Sequence, residues 1–432
     1  MITQIEIGGY RLLDEFKADL NQLTVVIGAN AVGKSTLIDC LQLIAQCSAV
    51  PINTAMSWHG ETVSLLTVGN ENRQLTWKIT FHKSVATLWH ALLLREEQSL
   101  VYKVVLQADA QSQMHPQYEV LRTQEPIKGY GDPSIFLETT PDRRRIFDRK
   151  QGRLIPFDEA QPPPDVVRES DLAKATVKSS LQQPEQQEPA LLLSQIRFIN
   201  EFPVPSLVRI LLENMAFYPG FDVTRSSTLR TRAADIKPVT TLSPNGDNLG
   251  TVLHEILTRY DFRSAAEELR DFLRVAYPAF EEIHCDTTYG TPPQVLVRVR
   301  EKGMSRSMEL WELSDGMLRF LCLAITLLNP RPSVLVAIDE PELGLHPGLL
   351  PIVAEMIKVA AERTQVLVTT HSPDLLNCFD IADVAVMARN TDDAKVAWHR
   401  PANRKTLVQM LKDVSSETLG DLHRSGELEA GV

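Results

Sequence analysis

The segment Gly28-Ala-Asn30-Ala-Val-Gly33-Lys34-Ser35-Thr36 brings two glycines, an ammonium and two hydroxyls into one short stretch. Its spacing, G-x-x-x-x-G-K-[ST], lets backbone wrap around a phosphate, with amide N–H groups and the start of the next helix turned toward negative charge. In that arrangement Gly28, Asn30 and Gly33 shape the loop and Lys34 reaches the β- and γ-phosphates. Ser35 ligates Mg2+ through its hydroxyl, and Thr36 adds a contact to the α-phosphate. A second group of acids fits the same chemistry. Pro332-Ser-Val-Leu-Val-Ala-Ile-Asp339-Glu340-Pro341 is an apolar run that ends in two carboxylates. Asp339 at the end of a strand would approach the Mg2+ shell, and Glu340 would orient or deprotonate an attacking water. Alone, such a run describes many strands that end in a solvated turn; beside the phosphate loop it reads as part of a nucleoside triphosphate site.

Both motifs need particular elements around them. Residues 2–7 and 23–28 read as short apolar strands, and the phosphate loop runs into a helix over Lys34–Cys47 with Leu37, Ile38, Leu41 and Ile44 on its buried side. From about 63 to 107 the pattern turns to alternating runs such as Gln74-Leu-Thr-Trp-Lys-Ile-Thr-Phe81, which predicts antiparallel strands. Residues 158–190 hold Pro162-Pro163-Pro164 and a Gln/Pro/Glu stretch, and read as a mobile linker, with an ordered extended arm as the alternative. Helical patterns resume over 206–215, 248–260 and 264–276. From Trp311 onward the order is turn, helix, strand, turn, helix, strand, the rhythm of a parallel sheet. An apolar run delivering Asp339 should be a central strand of that sheet, covered on both faces.

Composition bounds the classes. The chain has 432 residues, room for two or three domains, and 44% hydrophobic residues supply a core. A formal charge of −11 excludes generic nucleic-acid binding, so any DNA contact requires a local basic patch. The five cysteines show no C-x-x-C; Cys40 and Cys47 fall on one helix and suggest burial rather than metal binding. The start of the chain lacks a basic n-region and apolar run, and no apolar stretch reaches the ~18 residues of a bilayer span, so a cytoplasmic protein without membrane contact is expected.

Three further features carry a resemblance. Leu313-Ser314-Asp315-Gly316 opens a helical pattern and resembles the signature motif of ABC ATPases, usually L-S-G-G; on its residues alone it is also a good helix cap. Leu343-Gly-Leu-His346-Pro347 resembles the D-loop segment of RecF/SMC-like ATPases, and Val366-Leu-Val-Thr-Thr-His371 delivers a histidine from an apolar strand. Over roughly 1–70 and 305–390 the chain resembles the small RecF/SMC-like, ABC-type "AAA family ATPase" proteins of bacteria, related to the overcoming-lysogenization-defect ATPase domain. The resemblance implies a P-loop NTPase of ABC type with a β-rich subdomain and an inserted helical lobe. It divides the chain into a nucleotide-binding α/β lobe over 1–110 and 330–432, an insertion over 111–195, and a helical lobe over 196–329.

By the same resemblance Ser314, Asp315 and Gly316 contact the γ-phosphate bound to a second subunit, and His371 senses that phosphate and helps position the water. The expected protein is then an ATPase that binds ATP and Mg2+ and dimerises head to tail. It would couple nucleotide state to DNA, in repair or maintenance, or to a separately encoded effector or nuclease, as in antiphage defence. The alternative is a nucleotide-gated interaction protein with negligible hydrolysis, and a transporter ATPase fits less well. Ala31-Val32 stands where Gly-Ser is usual, and Asp315 where the first signature glycine is usual. Tyr10-Arg11 matches an aromatic/basic pair that lies near nucleotide in these proteins, and no glutamine after Gly60 matches the Q-loop. The basic stretch 142–153 is a candidate for phosphate-backbone contact or a solvated loop, and the group Arg225, Arg230, Arg232 and Lys237 could contact DNA, a partner or an acidic surface of the same protein. After His371 come one β-like run and two helical patterns; no metal-nuclease spacing is seen there, and Asp392-Asp393 reads as a turn.

Overall fold

A computed structural model describes residues 1–83, 99–126, 132–148, 151–159, 188–197, 199–230, 234–288, 294–390, 395–413 and 418–428. Most of the stretch read as a linker lies outside the described residues, as do Arg232 and Asp392-Asp393. The chain forms two compact units, Met1–Asp19 with Asp39–Asn214, and Leu20–Ile38 with Met215–Val432. The division falls inside the helix Lys34–Cys47. The first strands in chain order are β1 (Ile2–Gly8), β2 (Phe16–Asp19) and β3 (Leu23–Ile27), of which β1 and β2 belong to the first unit and β3 to the second.

The first unit is built on an eight-stranded sheet. It adds β4 (Gln74–Phe81), β5 (Leu100–Ala108), β6 (Met114–Thr123), β7 (Ile135–Thr140), β8 (Arg143–Asp148) and β9 (Arg153–Pro156), in the order β2-β1-β4-β5-β6-β7-β8-β9. Every pairing is antiparallel. Period-two alternation explains it: Leu75, Trp77 and Ile79 are buried on one face while Gln74, Thr76 and Lys78 are half-exposed on the other. The basic stretch 142–153, weighed above as a loop or contact patch, supplies strand β8 and the first residue of β9. Arg145 pairs with Glu138 across the ladder, and Arg144 donates to Gln195 at 2.6 Å and lies over the Phe157 ring. Those two cations are engaged within their own unit.

The second unit adds β10 (Met215–Tyr218), β11 (Ala234–Asp235), β12 (Phe280–Thr288), β13 (Gln294–Glu301), β14 (Met308–Glu309), β15 (Leu335–Asp339), β16 (Gln365–Thr369), β17 (Val384–Arg389) and β18 (Val396–His399). Its main sheet has the order β10-β15-β16-β3-β17-β18, parallel from β10 to β17 with β18 antiparallel at the edge. All five residues of β3 and of β16 are buried, as a strand covered on both faces requires. The helices Asp315–Leu327 and Leu350–Arg363 bury Leu318, Leu321, Val353 and Ile357 in the same core as β15 and β16.

The region expected to be a helical lobe carries its helices, Leu249–Thr258 and Arg263–Ala276, and also a small antiparallel sheet of β11, β13 and β12 with β14 paired to β13. Val295, Val297 and Val299 alternate inward there, a period-two signal among helical ones. The four-residue β10 was hidden by its shortness at the end of a helical pattern.

Candidate functional site

Parallel strands leave their carboxyl ends along one edge of the sheet, and β3, β16 and β15 are consecutive neighbours. After β3 comes the phosphate loop. Gly28 has φ +150°, and a Cβ there would lie 2.1 Å from the Met387 carbonyl oxygen, so only glycine fits against β17. Ala31 adopts φ +61°, a left-handed conformation at a position where glycine is usual. Lys34 is buried, and its Nζ donates to the carbonyls of Gly28 at 2.9 Å and Ala29 at 3.0 Å. Asn30 and Ser35 are exposed on the loop, Thr36 is half-buried, and Gly33 accepts from the Leu37 N–H.

Asp339 closes β15 and Glu340 follows it at φ +47°, an uncommon conformation for a residue with a Cβ. Thr369, last residue of β16, ties this corner together. Its hydroxyl donates to Asp339 Oδ1, while the Glu340 N–H donates to its carbonyl at 3.1 Å and its Oγ1 at 3.2 Å. His371 stands two residues on, with Nε2 3.4 Å from Glu340 Oε1. A cavity of about 30 Å³, room for a water, opens beside Glu340 and is lined by Tyr218, Phe221, Arg319, Asp339 and Leu343.

Two residues absent from the sequence reading shape this corner. One is Thr369. The other is Glu342, whose Oε1 accepts from Thr370 Oγ1 at 2.6 Å, the His371 N–H at 3.0 Å and the Ser372 N–H at 3.2 Å. Its Oε2 is buried and unpartnered among the described residues. The available signal was a third acid directly after the Asp339-Glu340-Pro341 turn.

The signature turn is organised differently. Ser314 caps the helix Asp315–Leu327 and accepts from the Met317 N–H at 3.3 Å. A Cβ on Gly316 would lie 3.4 Å from the Gly344 carbonyl, and one on Gly344 2.9 Å from Arg319 Nε, so the turn and its helix lean on the loop after the acidic pair. Asp315 pairs with Arg230, one of the cations for which the sequence left open an acidic surface of the same protein. Asp339 and Glu340 are thus joined through Thr369, and His371 to them through Glu340 and Glu342, while Ser314, Asp315 and Gly316 are held by Arg230 and the Gly344 loop.

Tyr10 and Arg11 fall in the other unit, in a network around Asp39. Its carboxylate accepts from Tyr10 Oη at 2.5 Å, and it lies 2.9 Å from Arg11 Nη1 and 2.6 Å from His59 Nδ1. Burial pushes the Asp39 carboxyl up, but hydrogen bonds from His59 and Tyr10 outweigh it and hold the group below the usual carboxylate range. Cys40 and Cys47 are buried, and burial pushes the Cys47 thiol up to about 12.

The residues of the loop corner fit a nucleotide and a hard cation. The loop offers a buried ammonium and a backbone pinned by Gly28. Asp339 has its carboxylate oriented by the Thr369 hydroxyl, as metal-binding carboxylates commonly are by a neighbouring donor. Among the described residues no helix is long and apolar enough to cross a membrane.

Comparison with known proteins agrees with the motifs. The family model described as "AAA domain, putative AbiEii toxin, Type IV TA system" matches residues 140–377, and that described as "AAA ATPase domain" matches residues 1–183. The matches bear out the ATPase resemblance. Among curated proteins none matches the sequence. Solved structures similar to this chain include an SMC head bound to the C-terminal winged-helix domain of ScpA, at 11% identity and TM-score 0.49, covering 92% of this chain and 97% of that one. An SMC head domain from Thermotoga maritima aligns at 11% identity and TM-score 0.40, covering 92% and 98%. An SMC head with an extended coiled coil, bound to the C-terminal domain of ScpA derived from Pyrococcus furiosus, aligns at 12% and 0.48, covering 95% and 99%.

Proposed function

The chain belongs to the AAA-domain family whose model spans residues 140–377, and from that premise we propose that it is an ABC-type ATPase that closes head to tail around ATP and uses nucleotide state as a switch. The observation that carries this reading is the corner where Thr369 ties Asp339 to Glu340 and His371 faces Glu340, next to the strand that feeds the phosphate loop.

In the proposed reaction ATP and water give ADP and phosphate. Gly28, Asn30, Gly33, Lys34 and Thr36 hold the phosphates, the lysine cancelling charge that grows on the β- and γ-oxygens. Ser35 and Asp339 would hold Mg2+, which when bound neutralises phosphate charge; protein oxygens can be this few because the phosphates supply the rest. Glu340 orients a water in the adjoining cavity and accepts its proton. His371, 3.4 Å from that carboxylate, keeps it directed at the water.

A phosphate loop and a signature turn held by different supports make a composite site natural. Ser314, Asp315 and Gly316 of one copy would meet the nucleotide of another, and loss of the γ-phosphate would release them. ATP then stabilises the closed pair only by its differential affinity for it. The switch would act on DNA or on a separately encoded effector, in repair or in antiphage defence.

The test is the mass of the purified chain by light scattering, without nucleotide, with ATP and Mg2+, and with ATP on Glu340→Gln. A dimer that forms with ATP and is trapped by the variant is expected, with hydrolysis reduced by about 10²- to 10⁴-fold. An unchanged monomer in all three conditions would sink the composite site. Wild-type hydrolysis surviving in Glu340→Gln would sink the role of that residue. A second reading, gating without useful hydrolysis, is favoured by the acid at position 315; a dimer that forms in wild type and never turns over would select it.

A further inference from the structure

An acid in the first turn of the helix Asp315–Leu327 suits the helix dipole, but a carboxylate there repels phosphates brought to the same turn. The Asp315 side chain is 70% exposed, so it faces whatever approaches. Its counter-charge comes from beneath. Arg230, with its side chain only 9% exposed, donates to the carbonyls of Val223 at 2.9 Å, Trp311 at 3.2 Å and Leu313 at 2.8 Å, and to the Asp315 carboxylate. Two of those carbonyls belong to the turn that leads into Ser314.

The arginine is pre-set by its surroundings. Its N–H donates to the Ser227 carbonyl at 3.1 Å. The preceding Leu229 is buried against Gly246, where a Cβ would come within 2.6 Å of it. A planar guanidinium can serve several carbonyls and a carboxylate together; a lysine ammonium lacks that fork.

We infer that Arg230 is a positioning residue of the signature turn whose role is to cancel the charge of Asp315, its bonds to the carbonyls of Trp311 and Leu313 serving to fix the guanidinium under that carboxylate. The turn then meets the polyphosphate of a nucleotide on a second copy of this chain as a neutral surface led by the Ser314 hydroxyl. This rests on the head-to-tail reading above. Asp315 can replace a glycine only because Arg230 lies under it, so the two act as one unit and their substitutions are non-additive.

The test is a double-mutant cycle on the full chain in the Glu340→Gln background. Affinity of the ATP-dependent dimer is read by dilution in light scattering, and affinity of the single head is read with a fluorescent ATP analogue. Arg230→Met weakens the dimer by about 10- to 100-fold while single-head affinity moves by less than about threefold. Adding Asp315→Gly recovers most of the loss. A double variant as weak as Arg230→Met overturns the proposal, since the arginine would then act through loop collapse and not through the charge of Asp315. If Arg230→Met does not fold, Asp315→Asn decides: a dimer as tight as the parent or tighter supports the proposal, and one weaker by more than about tenfold overturns it. A parent chain that binds the analogue yet never dimerises with ATP defeats the head-to-tail reading itself, and does so before any of these substitutions is made.

Discussion

In the unit formed by Leu20–Ile38 and Met215–Val432, strands β15, β16, β3 and β17 run the same way, and the loops at their carboxyl ends share one edge. In the unit formed by Met1–Asp19 and Asp39–Asn214, eight antiparallel strands alternate in direction, and successive connections fall at opposite ends. Polar groups inside the two units differ accordingly. Asp339 and Thr369 at the ends of β15 and β16, with Glu340 and His371 just beyond them, come to one corner. Glu119, by contrast, is fully buried in β6 and spends its carboxylate on the Leu192 N–H at 2.6 Å, the Leu193 N–H at 2.9 Å and the Tyr102 hydroxyl at 2.9 Å. A parallel edge gathers reactive groups; the antiparallel sheet uses its acid as a brace for the short helix Leu192–Gln195.

The largest test of that contrast is therefore at Glu119. Replacing it by leucine strands two backbone N–H groups and a hydroxyl, at a cost of about 3–5 kcal/mol, read as a lower urea midpoint. ATP turnover per folded molecule should stay within about twofold, the scale of an ordinary kinetic comparison. Burial raises the Glu119 carboxyl above the usual range, and its three hydrogen bonds recover only part of that. Its contribution to stability is thus full below the unfolded value and lost as pH rises through the folded one. Wild type should lose stability above the ordinary glutamate range, and Glu119→Gln should lack that slope. Turnover that falls with Glu119→Leu while the midpoint holds would dissolve the distinction between brace and working edge.

The same contrast explains what could be read from residues alone. The phosphate loop and acidic pair were legible because local spacing encodes them, and a turn cannot wrap phosphate without its glycines. The central strands were legible because burial on both faces leaves continuous apolar runs. Thr369 and Glu342 were not, since a threonine in a strand and an acid after Pro341 look like solvated surface until β15 and β16 lie side by side. Arg230 was legible only in part: an acidic surface of the same protein stood among its open partners, but which acid it meets and its burial depend on the Trp311–Leu313 turn 81 and 83 positions away. The strand pair β12 and β13 was missed among helical patterns that surround it.

Glu342 offers the next test, on the working edge itself. Three donors from the Thr370–Ser372 turn converge on its Oε1 and hold His371 against Glu340. Glu342→Ala should lower kcat by about 10- to 100-fold, the worth of hydrogen bonds to a charged group, with little change in KM for ATP. Glu342→Gln keeps an acceptor and should recover much of kcat. A loss in KM with kcat intact would place Glu342 in nucleotide binding rather than in positioning the histidine.

The smallest effects concern strain. Ala31 and Glu340 both hold left-handed φ values, +61° and +47°, a conformation that costs a residue with a Cβ about 1–2 kcal/mol. Glycine relieves that cost but frees the unfolded chain by about 0.4–1 kcal/mol, so the net gain at either site is about 1 kcal/mol or less. Ala31→Gly restores the usual loop residue and should raise the urea midpoint slightly. Glu340→Gly should raise it by a similar amount while abolishing turnover, because the left-handed turn that sends the Glu340 N–H to Thr369 also sets the carboxylate beside His371. A Glu340→Gly chain no more stable than wild type would mean that hydrogen bonds to Thr369 already offset the strain, and the conformation would then be a by-product of the corner rather than a cost borne for catalysis.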